Sequence, residues 1–329
     1  MAGRVLVTGA TGFLGGAVLR RLRQEGARVI GAGRDARRCA ALRAEGFEML
    51  EQDLARPFAP GVAEQLCDLR AVVHCAARSS PHGRAQAFEA ANVTATRNLL
   101  EFCAGIGVSR FVFVSSSSVS FAPTDQLGVR ESDPLPPPFN AYARTKRAAE
   151  RLVLDAPALG PVVLRPRGIY GAGDTALLPR LLRAARRGPL PLLRDGRARI
   201  DLTHIGDAVA AVMAALDAGA AAEGQVFNIS GGEVLPVTEI AGQACARAGV
   251  ALRWRRMPLG PLMAVAGFIE RASLLLPDAP EPAVTRYGLA LFAYAQSLDL
   301  TAAGAGLGWR PQISFEEGLA RTFAGGRAG

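Results

Sequence analysis

Tyr142 and Lys146 stand four residues apart in NAYARTKRAAE, residues 140–150. On a helix, an i, i+4 pair shares one face, so a phenol and an ammonium would meet there. A phenol ordinarily ionises at about pH 10, too high for efficient proton transfer at neutral pH. A neighbouring ammonium stabilises the phenolate and draws that pKa toward the working range. Lys146 is the sole lysine among 38 lysines and arginines. A compact point charge, kept in a chain that otherwise writes arginine, marks a place where a planar guanidinium would not serve equally well. Upstream, RFVFVSSSSVSF (residues 110–121) carries Ser115, Ser116, Ser117 and Ser118 in a row. A hydroxyl from this run, brought beside the phenol, could hold a carbonyl or alkoxide oxygen.

A second set of residues suits a different task. VTGATGFLGG, residues 7–16, places Gly9, Gly12 and Gly15 directly after a β-rich run and at the opening of a helical one. Glycines there let the backbone approach a pyrophosphate, while the first-turn N–H groups and the helix dipole stabilise its charge. About 20 residues further on, a dinucleotide fold that prefers NAD usually carries an acid to hold the ribose hydroxyls. Here the run ARVIGAGRDARR offers Gly33 and then Arg34. A small residue leaves room for a 2′-phosphate and Arg34 can grip it with a fork of donors, so NADP is expected in preference to NAD. Asp35, if turned inward, would reverse that preference. Arg37 and Arg38 read as solvated helix residues, with phosphate contact as a secondary role.

The elements that must carry these residues follow from periodicity. Strands are expected at 4–8, 27–33, 47–53, 71–77, 110–116 and 161–166, with helical stretches at 13–26, 35–45, 62–68 and 84–104 between them. Such alternation implies right-handed crossovers and a mainly parallel sheet covered on both faces. Past Pro166, prolines and glycines cluster, a strand-then-helix pattern returns at 200–219, and residues 233–298 read as mostly helical. The expected organisation is an α/β fold, a Rossmann doubly wound parallel sheet with a smaller, mostly helical C-terminal lobe. Residues 1–170 form the nucleotide domain, with 198–230 rejoining it; residues 171–197 and 231–329 form the substrate lobe.

Composition narrows the alternatives. Half of the 329 residues are hydrophobic and 20% are charged, which argues against wholesale disorder. The net charge of +9 is spread over arginines that never form a block or interleave with aromatics, so no nucleic-acid partner is expected. The five cysteines lack CxxC spacing and the three histidines do not cluster, so neither disulfides nor a metal site is expected. A chain that enters a strand by Arg4 shows no signal segment, which points to the cytoplasm. The apolar stretch at 258–277 is interrupted by Glu270 and Arg271; it reads as a core or site-covering helix, not a membrane anchor.

Taken together, TGATGFLG, Asp53 in EQDL, HCAA at 74–77, Asn92 in ANVTATRNLL, the serine-rich strand end, YARTK and LRPRGIYGAGD at 164–174 resemble an extended short-chain dehydrogenase/reductase, as do THIGDAV, FNISGG and LGWRPQISFEEGL. The resemblance covers most of the chain. It implies Tyr142 as general acid/base, with Lys146 tuning it and binding the nicotinamide ribose. It aligns Ser116 as the active serine, with Ser117 as runner-up, because Val119 is followed by Ser120-Phe121 where relatives have Tyr-Gly. The implied cofactor contacts are Gly9, Thr11, Gly12, Phe13, Leu14 and Gly15 in the first turn, with Arg34 beyond it. Asp53 and Leu54 would lie at the adenine, and Ala76, Ala77 and Asn92 along the channel, joined by Tyr142 and Lys146. A homodimer through the Tyr/Lys helix and its neighbour is also implied.

The branch it looks most like is the 3β-hydroxysteroid dehydrogenase-like and dihydroflavonol reductase-like group, which implies alcohol–ketone interconversion on a mainly apolar small molecule (sterol-like, isoprenoid or acyl). Sugar-nucleotide dehydratases carry an Asp-Glu pair where this chain has Ser117-Ser118, so that chemistry is disfavoured. A sugar-nucleotide epimerase would need only the same three residues, and Arg165, Arg180, Arg197 and Arg199 are candidates for a substrate diphosphate. A non-catalytic NADP-binding redox sensor is the third reading, against which the Tyr/Lys pair speaks.

Overall fold

Seven parallel strands form the main sheet of the computed structural model, which describes residues 3–324. They are β1 (Arg4–Thr8), β2 (Val29–Gly33), β3 (Glu48–Glu51), β4 (Leu69–His74), β5 (Arg110–Val114), β6 (Pro161–Pro166) and β7 (Gln225–Ile229). Across the sheet the order is β7-β6-β5-β4-β1-β2-β3. The chain therefore winds outward from β1 to β3, then returns to the other side of β1 to lay down β4. The carboxyl ends of β1 and β4 flank that reversal, where open α/β sheets bind their ligands.

Strand alternation divides the core in two. Val5, Val7, Val73 and Val112 face one side, where they meet Leu19 and Leu22 of α1 (Phe13–Gln24). Leu6, Val72, Phe111 and Phe113 face the other, against Leu99 of α3 (Ala95–Gly105) and Val153 of α4 (Ala141–Leu154). The remaining helix on this edge, α2 (Ala36–Ala44), follows β2 directly. With both faces covered, continuous apolar runs are what the central strands require. The expected α/β architecture is the observed one.

The second half of the chain supplies α5 (Leu177–Arg187), α6 (Ile205–Asp217), α7 (Val237–Arg247), α8 (Leu259–Leu275) and α9 (Arg286–Ala293). Helix α6 lies on the same face as α1, through Val212, Met213 and Leu216. The stretch expected to be mostly helical is interrupted by short strands. Gln296–Leu298 pairs in parallel with Gln126–Val129 and with Arg199–Ile200, which in turn pairs with Leu235–Pro236. This small sheet carries Gln296 to the edge of the main cavity.

The apolar stretch at 258–277 does form a helix, α8, but not a covered one. Its inward face is made of Ala266, Gly267 and Ser273, whereas Val265, Phe268 and Leu275 are exposed. Small inward residues let α9 come close: a Cβ on Gly267 would meet Arg286 Cδ at 3.2 Å. The cavity is walled by residues 281–292 and not by α8 itself. Among the described residues no helix is long and apolar enough to cross a membrane.

Candidate active site

A cavity of about 980 Å³ runs along the carboxyl edge of the sheet and into the C-terminal half. Its first part is a backbone cradle. Gly9 has φ of +66°, and a Cβ there would lie 2.8 Å from Ala76 N. A Cβ on Gly15 would lie 2.3 Å from Gly9 O, so any side chain would force the turn off the helix. Gly12 caps α1 without any side-chain hydrogen bond, leaving the first-turn N–H groups to a ligand. Thr11, Phe13 and Leu14 complete the turn and line the same cavity. These residues fit a dinucleotide pyrophosphate.

At the far end of the cradle, Arg34, Asp35, Arg38, Asp53 and Leu54 line the cavity together. Asp35 Oδ1 accepts the backbone N–H of Arg38 at 3.0 Å, so its carboxylate serves as the cap of α2. Arg34 and Arg38 are exposed at this end, and Arg37 is not part of the lining. Ala76 and Ala77 form the opposite wall. Ala76 N donates to Thr8 Oγ1 (3.2 Å), and Thr8 in turn pairs with His74 Nδ1 at 2.7 Å. His74 also meets Thr96 Oγ1 at 3.0 Å; burial, aided by the Lys146 charge, pulls its pKa down to about 3. It is a neutral strut that fixes the ends of β1 and β4.

Asn92 belongs to this scaffold and not to the cavity wall. It sits in a π-helical turn, Glu89–Thr94, only 2% exposed. Its Oδ1 accepts Arg78 N at 2.7 Å and its Nδ2 donates to Thr145 Oγ1 at 2.9 Å. Asn92 thus ties the loop after β4 to α4, on which Tyr142 and Lys146 ride.

Helix α4 is capped by Asn140, whose Oδ1 accepts Ala143 N at 2.9 Å. Tyr142, Lys146 and Glu150 follow at steps of four and face the sheet edge. Tyr142 and Ser116 line the cavity together, and the Ser116 hydroxyl lowers the Tyr142 pKa against the burial that raises it. Ser116 and Ser117 both line the cavity, and it is the Ser116 hydroxyl that lowers the Tyr142 pKa. Ser117 opens a 3₁₀ turn, Ser117–Ser120, that Ser116 Oγ caps by accepting Ser118 N at 3.2 Å.

Lys146 is 2% exposed; its Nζ donates to Val114 O at 2.6 Å and lies 4.1 Å from the centroid of the Phe113 ring. Burial lowers its pKa to about 8, opposed by the Glu150 carboxylate. Burial pushes the Tyr142 phenol up to about 12, against the lowering effect of the Ser116 hydroxyl. The expectation that the ammonium draws the phenol down is not what sets this phenol: desolvation dominates, and the ammonium is turned onto Val114 O.

Beyond Tyr142 the walls become apolar, with Leu177, Leu181, Ile240, Val284 and Phe292 among them. Phe121 packs edge-on against Tyr287, with ring centroids 5.1 Å apart, close to the serine turn. Among the polar groups in this half that were not anticipated are Arg167, Tyr287 and Gln296. Arg167 had no distinguishing signal among so many arginines, and Gln296 arrives from a strand too short to show periodicity.

The arginines considered for a diphosphate are mostly engaged elsewhere. Arg165 forms a buried pair with Glu150, Nη2 to Oε2 at 2.8 Å, behind Lys146. Arg180 lines the cavity but pairs with Glu281 at 2.9 Å, and Arg197 and Arg199 do not line it.

A glycine cradle at the switch point of a doubly wound sheet, facing a Ser–Tyr pair and a buried lysine, defines a nucleotide-dependent α/β enzyme. The chain belongs to the NAD dependent epimerase/dehydratase family, whose profile matches residues 5–230. It is an extended short-chain dehydrogenase/reductase, an NAD(P)-dependent enzyme of CH–OH groups. It is 35% identical to a 2-alkyl-3-oxoalkanoate reductase of Stenotrophomonas maltophilia, over 99% of this chain and 100% of that protein. It is 31% identical to the decarboxylating sterol-4-alpha-carboxylate 3-dehydrogenase of Schizosaccharomyces pombe, over 97% of this chain and 96% of that protein. The fold matches that of UDP-glucuronic acid 4-epimerase from Bacillus cereus, solved in complex with NAD, with a TM-score of 0.75 and 23% identity over 98% of this chain and 95% of that one.

Proposed function

We propose that the protein interconverts a secondary alcohol and a ketone on an acyl-type apolar substrate, with NADP(H) preferred and with Ser116, Tyr142 and Lys146 as the catalytic set. The observation that carries this reading is that Ser116, Tyr142 and Lys146 line one cavity together with the backbone cradle and the apolar wall.

Gly9, Gly12 and Gly15 would hold the pyrophosphate, Asp53 the adenosine, and Arg34 with Arg38 a 2′-phosphate. When bound, the nicotinamide supplies or accepts the hydride. In reduction, Ser116 Oγ orients the carbonyl oxygen, and Tyr142 Oη delivers the proton to the alkoxide that develops there. A phenol held up at about 12 stays protonated at every working pH and so stands ready as the acid. The buried Lys146 ammonium then stabilises the phenolate left behind and reaches for ribose hydroxyls.

Both named relatives point to one substrate geometry. A 3-oxoalkanoate has its ketone one carbon away from the carbon that bears the carboxylate, and a sterol 4-carboxylate oxidised at C3 has the same relation. We take a 2-alkyl-3-oxo acid and its 3-hydroxy counterpart as the substrate class. A sugar-nucleotide epimerase would use the same three residues, but it needs partners for a diphosphate. Arg165 is committed to Glu150 and Arg180 to Glu281.

Tyr142→Phe removes the proton donor and leaves the ring. Steady-state assays with NADPH and a hydrophobic ketone should show turnover lowered by a factor on the order of 10² or more. Near-normal turnover in that variant would falsify the assignment.

A further inference from the structure

We propose that Arg167 is the carboxylate anchor of the substrate half, taking the acid group of a 3-oxo or 3-hydroxy acid and so fixing its oxygen-bearing carbon against Ser116 and Tyr142. The proposal rests on the functional reading above and names the residue that takes the carboxylate of that substrate class.

Arg167 directly follows the last residue of β6, at the carboxyl edge of the sheet, and is 8% exposed. It lines the same cavity as Ser116, Tyr142, Tyr287 and Gln296. Its guanidinium is fixed from behind: Nε lies 3.0 Å from Asp201 Oδ1, and Nη2 donates to Gln296 Oε1. Asp201 is itself held, its Oδ2 accepting Ser230 Oγ at 2.6 Å and Leu298 N at 3.0 Å. Nη1 has no hydrogen-bond partner among the described residues. Nε and Nη2 are thus held in place, and the residue contributes to the cavity wall. A preorganised guanidinium in a desolvated wall is the group that recognises a planar carboxylate.

Arg167 shares the cavity wall with the proton donor. Tyr287 lines the same cavity; its phenol raises the Tyr142 pKa, and the Arg167 charge lowers its own. A molecule with an oxygen and a carboxylate in 1,3 relation carries one group for the Ser116 and Tyr142 hydroxyls and one for the guanidinium. The apolar walls beyond would take its alkyl branches. If Arg167 were only a structural partner of Asp201, the site would be indifferent to the acid group.

The test compares the full-length enzyme, with oxidised cofactor, on a 2-alkyl-3-hydroxyalkanoate, its methyl ester, and a matched secondary alcohol without the carboxyl carbon. The hydroxy acid is used because it is stable in water. Wild type should favour the acid over the ester in kcat/KM by on the order of 10²-fold, mostly through KM. Arg167→Gln combined with Asp201→Asn removes both charges together, so the fold is not left with one of them unpaired; its acid-to-ester ratio should collapse toward unity. Arg167→Lys should restore part of the preference. Equal use of acid and ester by wild type, or a variant that loses both in proportion, overturns the anchor while leaving the oxidoreductase reading intact. If none of the three alcohols is oxidised, that reading fails instead. The anchor is then judged by calorimetric binding of the acid, and equal affinity in wild type and the double variant overturns it.

Discussion

The ammonium of Lys146 would ordinarily lose its proton near 10.5, but burial brings that point down to about 8, and the Glu150 carboxylate limits the fall. Below that pH the charge is present; above it the group is neutral and can no longer stabilise a phenolate. In the reductive direction, kcat/KM should therefore fall as pH rises through about 8, a limb that Tyr142 cannot produce because burial holds its phenol at about 12. Lys146→Arg keeps a charge that does not titrate in this range, so the limb should vanish. Turnover should also drop by at least roughly tenfold, since a bulky fork cannot take the Nζ position between Val114 O and the Phe113 ring. A pH–rate profile for the variant with its limb unmoved would assign it to another group. Lys146 was legible because its type is unique in the chain. Arg167 was not, because only the fold separates a guanidinium in the cavity wall from the many on solvated helix faces.

At the scale of elements, the turn from β2 into α2 decides how the adenosine end is read. Gly33 has no room for a side chain, since a Cβ would lie 2.7 Å from Thr11 Cγ2. Asp35 is occupied as the α2 cap, with its other oxygen 3.8 Å from Arg38 Nε, so Arg34 and Arg38 are the positive charges at this end of the cavity. Arg34→Ala should raise the KM for NADPH by about tenfold, the order expected for one charge-assisted hydrogen bond, and leave NADH almost unchanged. Fluorescence titration of both reduced cofactors checks this, and equal losses for the two would remove the 2′-phosphate argument. The central strands β1, β4, β5 and β6 were readable because each is a run rich in apolar, β-branched residues and long enough to show its pattern. The pairing of Gln296 with Gln126 was not, for it joins two short strands 170 positions apart. The π-helical turn at Asn92 was equally hidden. Its residues read as plain helix, and only contact with Arg78 and Thr145 reveals what the extra residue achieves.

Over the whole molecule, the two parts of the cavity are joined through one fully buried carboxylate. Asp201, 0% exposed, meets Arg167 after β6, Ser230 after β7 and the backbone of Leu298, so strands remote in sequence converge on a single charge. Asp201→Asn keeps the shape but leaves the Arg167 guanidinium buried without its counter-charge. Breaking such a pair from one side costs about 3 kcal/mol or more, whereas removing both partners is often close to neutral. Stability should therefore fall by about 3 kcal/mol in Asp201→Asn, and most of the loss should return when Arg167→Gln is added. The two tryptophans make the measurement spatially resolved. Trp309 packs in the core beneath α1 and α6, and Trp254 packs beside α7. Because the carboxylate ties both regions, urea unfolding followed by fluorescence and by far-ultraviolet dichroism should shift as one transition in each variant. If Asp201→Asn costs less than about 1 kcal/mol, or if the double variant is as unstable as the single one, this charge is not what couples the two parts.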